Sequence, residues 1–422
     1  MKYFLAFAAL ALSAAPPNIV MIVSDDHGWT DYGFMGHPHA RTPNIDKLAS
    51  DSLLFTRGYV PTSLCRPSLA SIMTGRYPHE HLITGNDPPG NARDVKSRAA
   101  MVELFKKSKT IVGELSNLGY VSHQSGKWWE GECNCCGFTE CMSHGDVTKG
   151  GRHGDVGLEI GRKTMKPVFD FIDAAGAKPY LLWYAPMMPH TPHNPPERLL
   201  AKYSALPSAQ AKYMAMIEWF DETVGELVAY IDKKGQTNNT LFIFLADNGW
   251  VQLEGQRSLY DTRAKLSPYD AGLRTPIFFR WKGHITPKRD DKTLATSLDI
   301  APTILAAAGG KIPAEWRGRD ARQIAGRNQI FGATFAHTSV DIAKPAANVK
   351  YRWLIKDNWK LVVPQIANLA VPIWEGRPET AWGEAPELYD LSKDPLEKKN
   401  LAGEQGNLLK GLMRELDAWW RP

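Results

Sequence analysis

Two acidic pairs stand at the ends of apolar runs. The run from Asn18 to Ser24 leads into Asp25, Asp26, His27 and Gly28, and the run from Thr240 to Ala246 leads into Asp247, Asn248 and Gly249. An unbroken apolar run bounded by turn-forming residues is the pattern of a strand buried on both faces of a parallel sheet. In open sheets of that kind ligands bind beyond the carboxyl ends of the strands. The oxygens of Asp25, Asp26, Asp247 and Asn248 are thus expected to converge from distant segments. Hard oxygen donors of this type suit Ca²⁺, with Mg²⁺ as the alternative. Asp and Asn also begin ordinary turns, and for either pair alone that is the simpler account. Their joint occurrence favours a cation.

A third chemical group is Cys65, followed by Arg66, Pro67 and Ser68. Leu69, Ile72 and Met73 fall at helical spacing, so a helix begins at the cysteine, and its positive end would stabilise a developing anion there. A buried structural cysteine is the commoner alternative. The other four cysteines, Cys133, Cys135, Cys136 and Cys141, lie within nine residues of one another. In an exported chain such a cluster suggests disulfides rather than a zinc knuckle, for which paired Cys-x2-Cys spacing is missing. Adjacent cysteines seldom bond to each other, so Cys135 and Cys136 are each expected to seek Cys133 or Cys141.

The elements that must position these groups alternate. Thr42 and Pro43 open a helix expected to run through Phe55, and Thr110 caps another that Gly119 closes. Pro179–Ala185 is a further buried strand. A long amphipathic helix covers about 209–234, with Tyr213, Met216, Ile217, Phe220, Val224, Leu227 and Ile231 on one stripe. Ile277–Trp281 and a helix near 300–308 continue the pattern. Beyond about residue 328 come short turn-bounded strands, 352–356 and 359–363, and a helix over 408–419. This is an α/β fold: a large, mostly parallel central sheet flanked by helices, with a smaller C-terminal antiparallel sheet and a terminal helix.

Lys2, an apolar run from Tyr3 to Leu12, and the small residues Ser13, Ala14 and Ala15 match a secretory signal. The run is too short to span a bilayer. The expected organisation is a signal peptide over 1–15, a catalytic domain over 16–328 and a C-terminal α+β subdomain over 329–422, in a secreted or periplasmic protein. With 422 residues, 43% hydrophobic and 23% charged, the chain is neither disordered nor fibrous. Its formal charge of +5 comes without any long basic run, which argues against nucleic acid as a partner and permits an anionic substrate.

With these residues in place the chain resembles the formylglycine-dependent sulfatases of the alkaline-phosphatase-like superfamily. Cys65-x-Pro67-Ser68 with Thr74-Gly75 matches the nucleophile motif, and the acidic pairs fall where that family has its metal ligands. Gly126-Lys127-Trp128, the Pro-His-x-Pro around His190, and Lys265 ahead of Arg274-Thr275-Pro276 match in the same order, as does the tail from Glu387 to Leu401. The resemblance implies that a formylglycine-generating maturation enzyme oxidises Cys65, and that the hydrate of the product binds Ca²⁺ and attacks sulfur. Collapse of the sulfated hydrate would then release sulfate. It further implies that Lys127 and Lys265 neutralise the sulfuryl oxygens, and that His190 binds sulfate or protonates the leaving alcohol. A sulfated carbohydrate is the expected substrate. The alternatives are a phosphoester or phosphonate hydrolase on the same scaffold, and a glycan-binding pseudo-sulfatase with Cys65 unconverted.

The pattern departs at two positions. Leu69 stands where the motif has Arg, and Trp129 stands where a His would follow Gly-Lys-Trp. A replacement base is therefore expected from His79, His81 or His123.

Overall fold

The computed structural model describes residues 15–90, 94–132, 136–144, 156–157, 159–255, 259–370 and 382–422. The signal segment thus lies almost wholly outside the described residues, as do Cys133 and Cys135.

In chain order the first strands are β1 (Asn18–Ser24), β2 (Leu53–Phe55), β3 (Gly58–Tyr59), β4 (Val121–Gly126), β5 (Glu140–Cys141), β6 (Tyr180–Ala185) and β7 (Thr240–Ala246). They are followed by β8 (Ile277–Arg280), β9 (Lys288–Asp290) and β10 (Ala295–Thr296). Eight of them form one sheet in the order β5-β4-β6-β1-β7-β8-β2-β9, in which β8 alone runs antiparallel to its neighbours. The three apolar runs are the central strands, and β1 is flanked by β6 and β7 in parallel register. Alternate side chains serve two cores. Ile19, Met21, Leu181, Trp183, Leu241 and Ile243 face the helices Cys65–Thr74, Ile111–Ser116 and Ile300–Ala307. Val20, Ile22, Leu182, Tyr184, Phe242 and Phe244 face the helices Pro43–Ser50, Lys166–Ala175 and Ser208–Lys233.

The helix opened by Thr42 and Pro43 ends at Ser50, not at Phe55. Leu53, Leu54 and Phe55 pair with Phe279, Phe278 and Ile277 instead, because burial between two strands outweighs any helical continuation of an apolar triplet. The strand β4 was not expected, since Ser122, His123, Gln124 and Ser125 give it no apolar run; all four are nonetheless buried. Cys141 is disulfide-bonded. Cys136 corrects the expected pairing: it keeps its thiol, which points at the Glu130 carbonyl oxygen at 3.9 Å. It packs in the core with Trp129 and Phe138, behaving as a small hydrophobe.

After residue 328 the strands β11 (Gln329–Phe335), β12 (Val349–Lys356), β13 (Trp359–Pro364) and β14 (Glu387–Asp390) form an antiparallel sheet, covered by the helix Gly406–Trp419 through Leu412 and Leu416. Lys360 of β13 reaches back to the segment between β7 and β8. Its Nζ lies 2.8 Å from Asp270 Oδ1 and 2.7 Å from Glu397 Oε1, and all three side chains are buried. Asp270 also accepts from the Tyr59 hydroxyl at 3.0 Å, and its backbone N–H donates to Glu397 at 2.6 Å. Burial, offset by Lys360, leaves the Glu397 carboxyl raised to about 7. Removing Lys360 would leave two buried acids facing each other with only the longer contact from Arg274, 3.8 Å from Asp270 Oδ2, among the described residues. Lys360→Met is expected to lower the unfolding free energy by about 3–5 kcal/mol, read as a shifted midpoint in urea; an unchanged midpoint would show that this junction contributes nothing.

Candidate active site

The register of β1 and β7 sets Ser24 opposite Ala246, so the residues that follow each strand emerge side by side. Asp26 has a left-handed backbone, φ 53°, a costly conformation for a residue with a Cβ and one that turns the chain sharply at the strand end. Its backbone N–H donates to Asp247 Oδ1 at 3.2 Å, and Asn248 Nδ2 donates to Asp26 Oδ1 at 2.7 Å. His27 holds the turn from behind: Nδ1 meets the Ser24 hydroxyl at 2.7 Å and Nε2 meets the Asp31 carbonyl oxygen at 3.1 Å.

Lys127 is delivered by β4, two strands from β1. Gly126 (φ 83°) makes this approach possible, because a Cβ there would lie 1.8 Å from the Ala185 carbonyl oxygen of β6. The ammonium of Lys127 then bridges Asp25 Oδ1 at 2.6 Å and Asp247 Oδ2 at 2.9 Å. Lys265 comes from the loop after β7 and binds both oxygens of Asp26, at 2.6 and 2.8 Å. Both lysines are buried. His190 follows β6, with Nε2 3.5 Å from Asp26 Oδ2 and Nδ1 2.6 Å from the Thr191 carbonyl oxygen. That contact places the Nδ1 proton on the carbonyl side and leaves Nε2 facing the acids.

Cys65 opens the helix Cys65–Thr74, whose first residues are buried, and Asn86 Oδ1 accepts the Arg66 backbone N–H at 2.9 Å. The Cys65 sulfur lies with one carboxylate oxygen each of Asp25 and Asp26 in a group whose members are all within 4.8 Å of one another. Burial pushes the thiol up to about 11 against the pull of Lys127 and Lys265, so it is not a thiolate at neutral pH. The structure therefore brings together every site residue read from the sequence: Asp25, Asp26, Cys65, Lys127, His190, Asp247, Asn248 and Lys265.

The electrostatics ask for one more positive charge. Three buried carboxylates share two ammonium groups. Burial raises Asp25 despite Lys127, and raises Asp247 to about 6. Burial acts the same way on Asp26, but Lys265, His190 and Lys127 together outweigh it and hold Asp26 well below its ordinary value. Two further oxygens, Asp25 Oδ2 and Asn248 Oδ1, are buried without a hydrogen-bond partner among the described residues. Unsatisfied hard oxygens beside an uncompensated carboxylate fit a divalent cation, and Asp25, Asp26, Asp247 and Asn248 are the residues that would hold it.

Several supporting residues carried no sequence signal. Arg162 donates to the carbonyl oxygens of Met187 at 2.9 Å and His190 at 3.0 Å, fixing the histidine loop. Arg66 makes a bidentate pair with Glu130 at 2.7 and 2.6 Å, joining the cysteine helix to the segment that carries Lys127. The expectation of a replacement histidine at Cys65 is not met. His79 stacks on Tyr77 and Trp420, and His81 spends Nε2 on Ser71 and Nδ1 on the Ile83 N–H. His123 packs on Phe171, in the core on the opposite face of the sheet from the cysteine helix. Leu69 is core, and Trp129 is buried with the Arg98 guanidinium 5.6 Å over its ring. Burial holds the His123 imidazole down at about 4, below its ordinary 6.5; the Glu140 carboxylate 3.6 Å away is half exposed and does not offset this. The unfolded chain thus takes up a proton that the folded one refuses. Stability from this group is fully present above pH 6.5 and is lost as pH falls toward 4. The stability gap between wild type and His123→Gln should therefore shrink between about pH 7 and about pH 4.5 in chemical denaturation; a constant gap would refute this.

The sulfatase family profile matches residues 17–310 of the chain, a span that contains every residue of the site. Arylsulfatase A of Homo sapiens is 29% identical over 451 residues, covering 94% of this chain and 86% of that protein. The ulvan-active sulfatase of Formosa agariphila is 24% identical, with coverage of 96% and 80%. The phosphonate monoester hydrolase of Agrobacterium radiobacter shares the fold at a TM-score of 0.66 and 18% identity, over 95% of each chain. That likeness speaks to architecture alone, whereas the family profile spans more than half of the chain. The chain belongs to the sulfatase family and is a sulfuric ester hydrolase.

Proposed function

We propose that this protein is an exported, Ca²⁺-dependent sulfatase that removes sulfate from a sulfated carbohydrate, using formylglycine made from Cys65 by a maturation enzyme. The observation that carries the reading is the set of three buried carboxylates, two lysines and two partnerless oxygens gathered around Cys65. Export is supported by the apolar, small-residue N-terminal pattern and by the disulfide at Cys141. A carbohydrate substrate is supported by the ulvan-active relative.

When bound, Ca²⁺ supplies a Lewis acid and formylglycine a hydrated aldehyde oxygen. The chain supplies the remainder. Asp25, Asp26, Asp247 and Asn248 would hold the cation beside Cys65. Lys127 and Lys265 present ammonium groups toward the sulfuryl oxygens, fixed in advance by the acids they already bind, so they need little reorganisation as charge shifts. His190, oriented by Thr191 and Arg162, points Nε2 into the same space; burial holds the imidazole down at about 4, so it is neutral in the resting site and would donate to the leaving alcohol oxygen only after taking up a proton there.

Three measurements test the reading. The peptide carrying Cys65, isolated from the native host, should be lighter by about 18 Da than the unmodified sequence, the change from a thiol to an aldehyde; an unmodified mass would favour the unconverted, glycan-binding alternative. Adding Ca²⁺ at about a hundredfold over its Kd should stabilise the protein by about 2.7 kcal/mol, and Asp25→Asn should abolish that shift. Lys265→Ala is expected to abolish sulfate release. Because Lys265 is buried against Asp26 rather than partly solvated, this change should also cost about 3–5 kcal/mol of stability. Full activity in that variant would remove Lys265 from the mechanism.

A further inference from the structure

The edge of the sheet that carries the reaction centre continues beyond it. Residues after β1, β4, β6 and β7 build the site. The next strands outward are β8, β2 and β9. Because β2 and β9 run parallel to β1 and β8 runs antiparallel, the residues just after β2 and β9 and just before β8 emerge on the same edge. A groove of about 730 Å³ lies there, reaching across to the turn between β12 and β13. Its walls carry five cationic side chains, Arg57, Arg274, Arg289, Lys292 and Arg327, against two carboxylates, Asp291 and Asp357. Trp29, three residues after Asp26, forms the end nearest the site, with the Arg274 guanidinium 3.9 Å over its ring.

The positive charge of this groove is only partly neutralised by the protein. Arg289 pairs with Asp291 at 3.0 Å, and Arg327 is paired with Asp299. Arg57 is held entirely by neutral acceptors: the Lys292 carbonyl oxygen at 3.4 Å, Asn358 Oδ1 at 3.2 Å and the Asp357 carbonyl oxygen at 2.6 Å. The Lys292 ammonium is exposed and makes no hydrogen bond or ion pair among the described residues. A guanidinium locked by neutral groups keeps its full charge and loses little further entropy on binding an anion. With strands about 4.8 Å apart, β2 lies roughly 10 Å along the edge from β7.

We propose that this groove is a second anion-binding site, which holds the sulfate or carboxylate groups of the polymer flanking the unit under attack. The proposal rests on the reading of the substrate as a sulfated carbohydrate and extends it to a polyanionic chain several units long. One stretch of chain would lie against Trp29, Arg57 and Lys292 while a neighbouring sulfate ester sits at Cys65. None of these groove residues touches the reacting atoms, so the groove should govern affinity for polymer and leave turnover of a small ester untouched.

Dextran sulfate serves as the polymer probe and an aryl sulfate as the small substrate. Lys292→Glu and the double variant Arg57→Gln/Lys292→Glu are compared with wild type; Lys292→Glu is a surface change that leaves folding intact. At about 0.15 M salt the double variant should bind dextran sulfate about tenfold more weakly, with a shallower salt dependence, and Lys292→Glu should show part of the loss. Both should keep wild-type kcat/KM on the aryl sulfate. Wild type that fails to bind the polymer, or variants that bind it within about twofold of wild type, would overturn the proposal. So would a loss of binding in Lys265→Ala but not in the groove variants, since the polymer would then be held at the reaction centre alone. If the groove variants lose binding while matured wild type hydrolyses no aryl sulfate, the groove stands and the sulfatase reading falls.

Discussion

Three carboxylates buried at one edge of a sheet cannot stay charged unless positive charge is brought to them, and the rest of the molecule is arranged around that requirement. Asp25, Asp26 and Asp247 are within a few ångströms of one another because β1 and β7 are neighbours in register. Compensation has to come from elsewhere in the chain. Lys127 arrives on β4, past a position where only glycine clears the β6 backbone. Lys265 arrives from the loop ahead of Asp270, and Asp270 is itself fixed by Lys360 of the C-terminal sheet. The smaller sheet therefore does more than cover an edge. It anchors the segment that delivers one of the two cations.

What could be read from the sequence follows the same division. The three central strands were legible because burial on both faces forces an unbroken apolar run, and the ligands they carry inherit their position from the strand ends. β4 was not legible, since its Ser and Gln side chains are buried by bonding to neighbouring backbone and side chains, as Gln124 does to Gly126 and Ser125 to Trp183, and His123 by packing on Phe171. Local pattern cannot report a burial that depends on partners elsewhere in the chain. Arg162 and Asn86 were missed for the same reason, as was the partner of Arg66. Each acts through a contact 20 or more residues distant, with carbonyls of the histidine loop, with Glu130 or with the start of the cysteine helix. The helix expected to reach Phe55 shows the converse error, an apolar triplet whose period is too short to tell strand from helix.

The neighbourhood of Cys65 is tied down more firmly than its two departures from the family motif suggest. Leu69 and Trp129 are apolar and buried, so the lost Arg and His are not matched at their own positions. Two contacts instead fix the cysteine helix relative to Lys127. Asn86 satisfies an orphan N–H in its first turn, and the Arg66–Glu130 pair spans from the residue beside Cys65 to the third residue after Lys127. A bidentate pair this deeply buried is expensive in desolvation. Its effect is geometric: it holds the distance between nucleophile and cation while adding no net charge to the pocket.

That neutrality matters for the choice between sulfate and phosphate. With His190 neutral, three carboxylates, two ammonium groups and the proposed divalent cation would leave a single positive charge around Cys65. A sulfate monoester carries one negative charge, and the bound complex would then be close to neutral among side chains that are themselves buried. A phosphate monoester carries nearly two at neutral pH, since its second ionisation falls near pH 6. It would leave an uncompensated charge in the same low-dielectric space, and unpaired buried charge is among the costliest arrangements available to a protein. Removing an Arg and a His from the nucleophile pocket lowers its positive charge further, and so moves this site toward the monoanion.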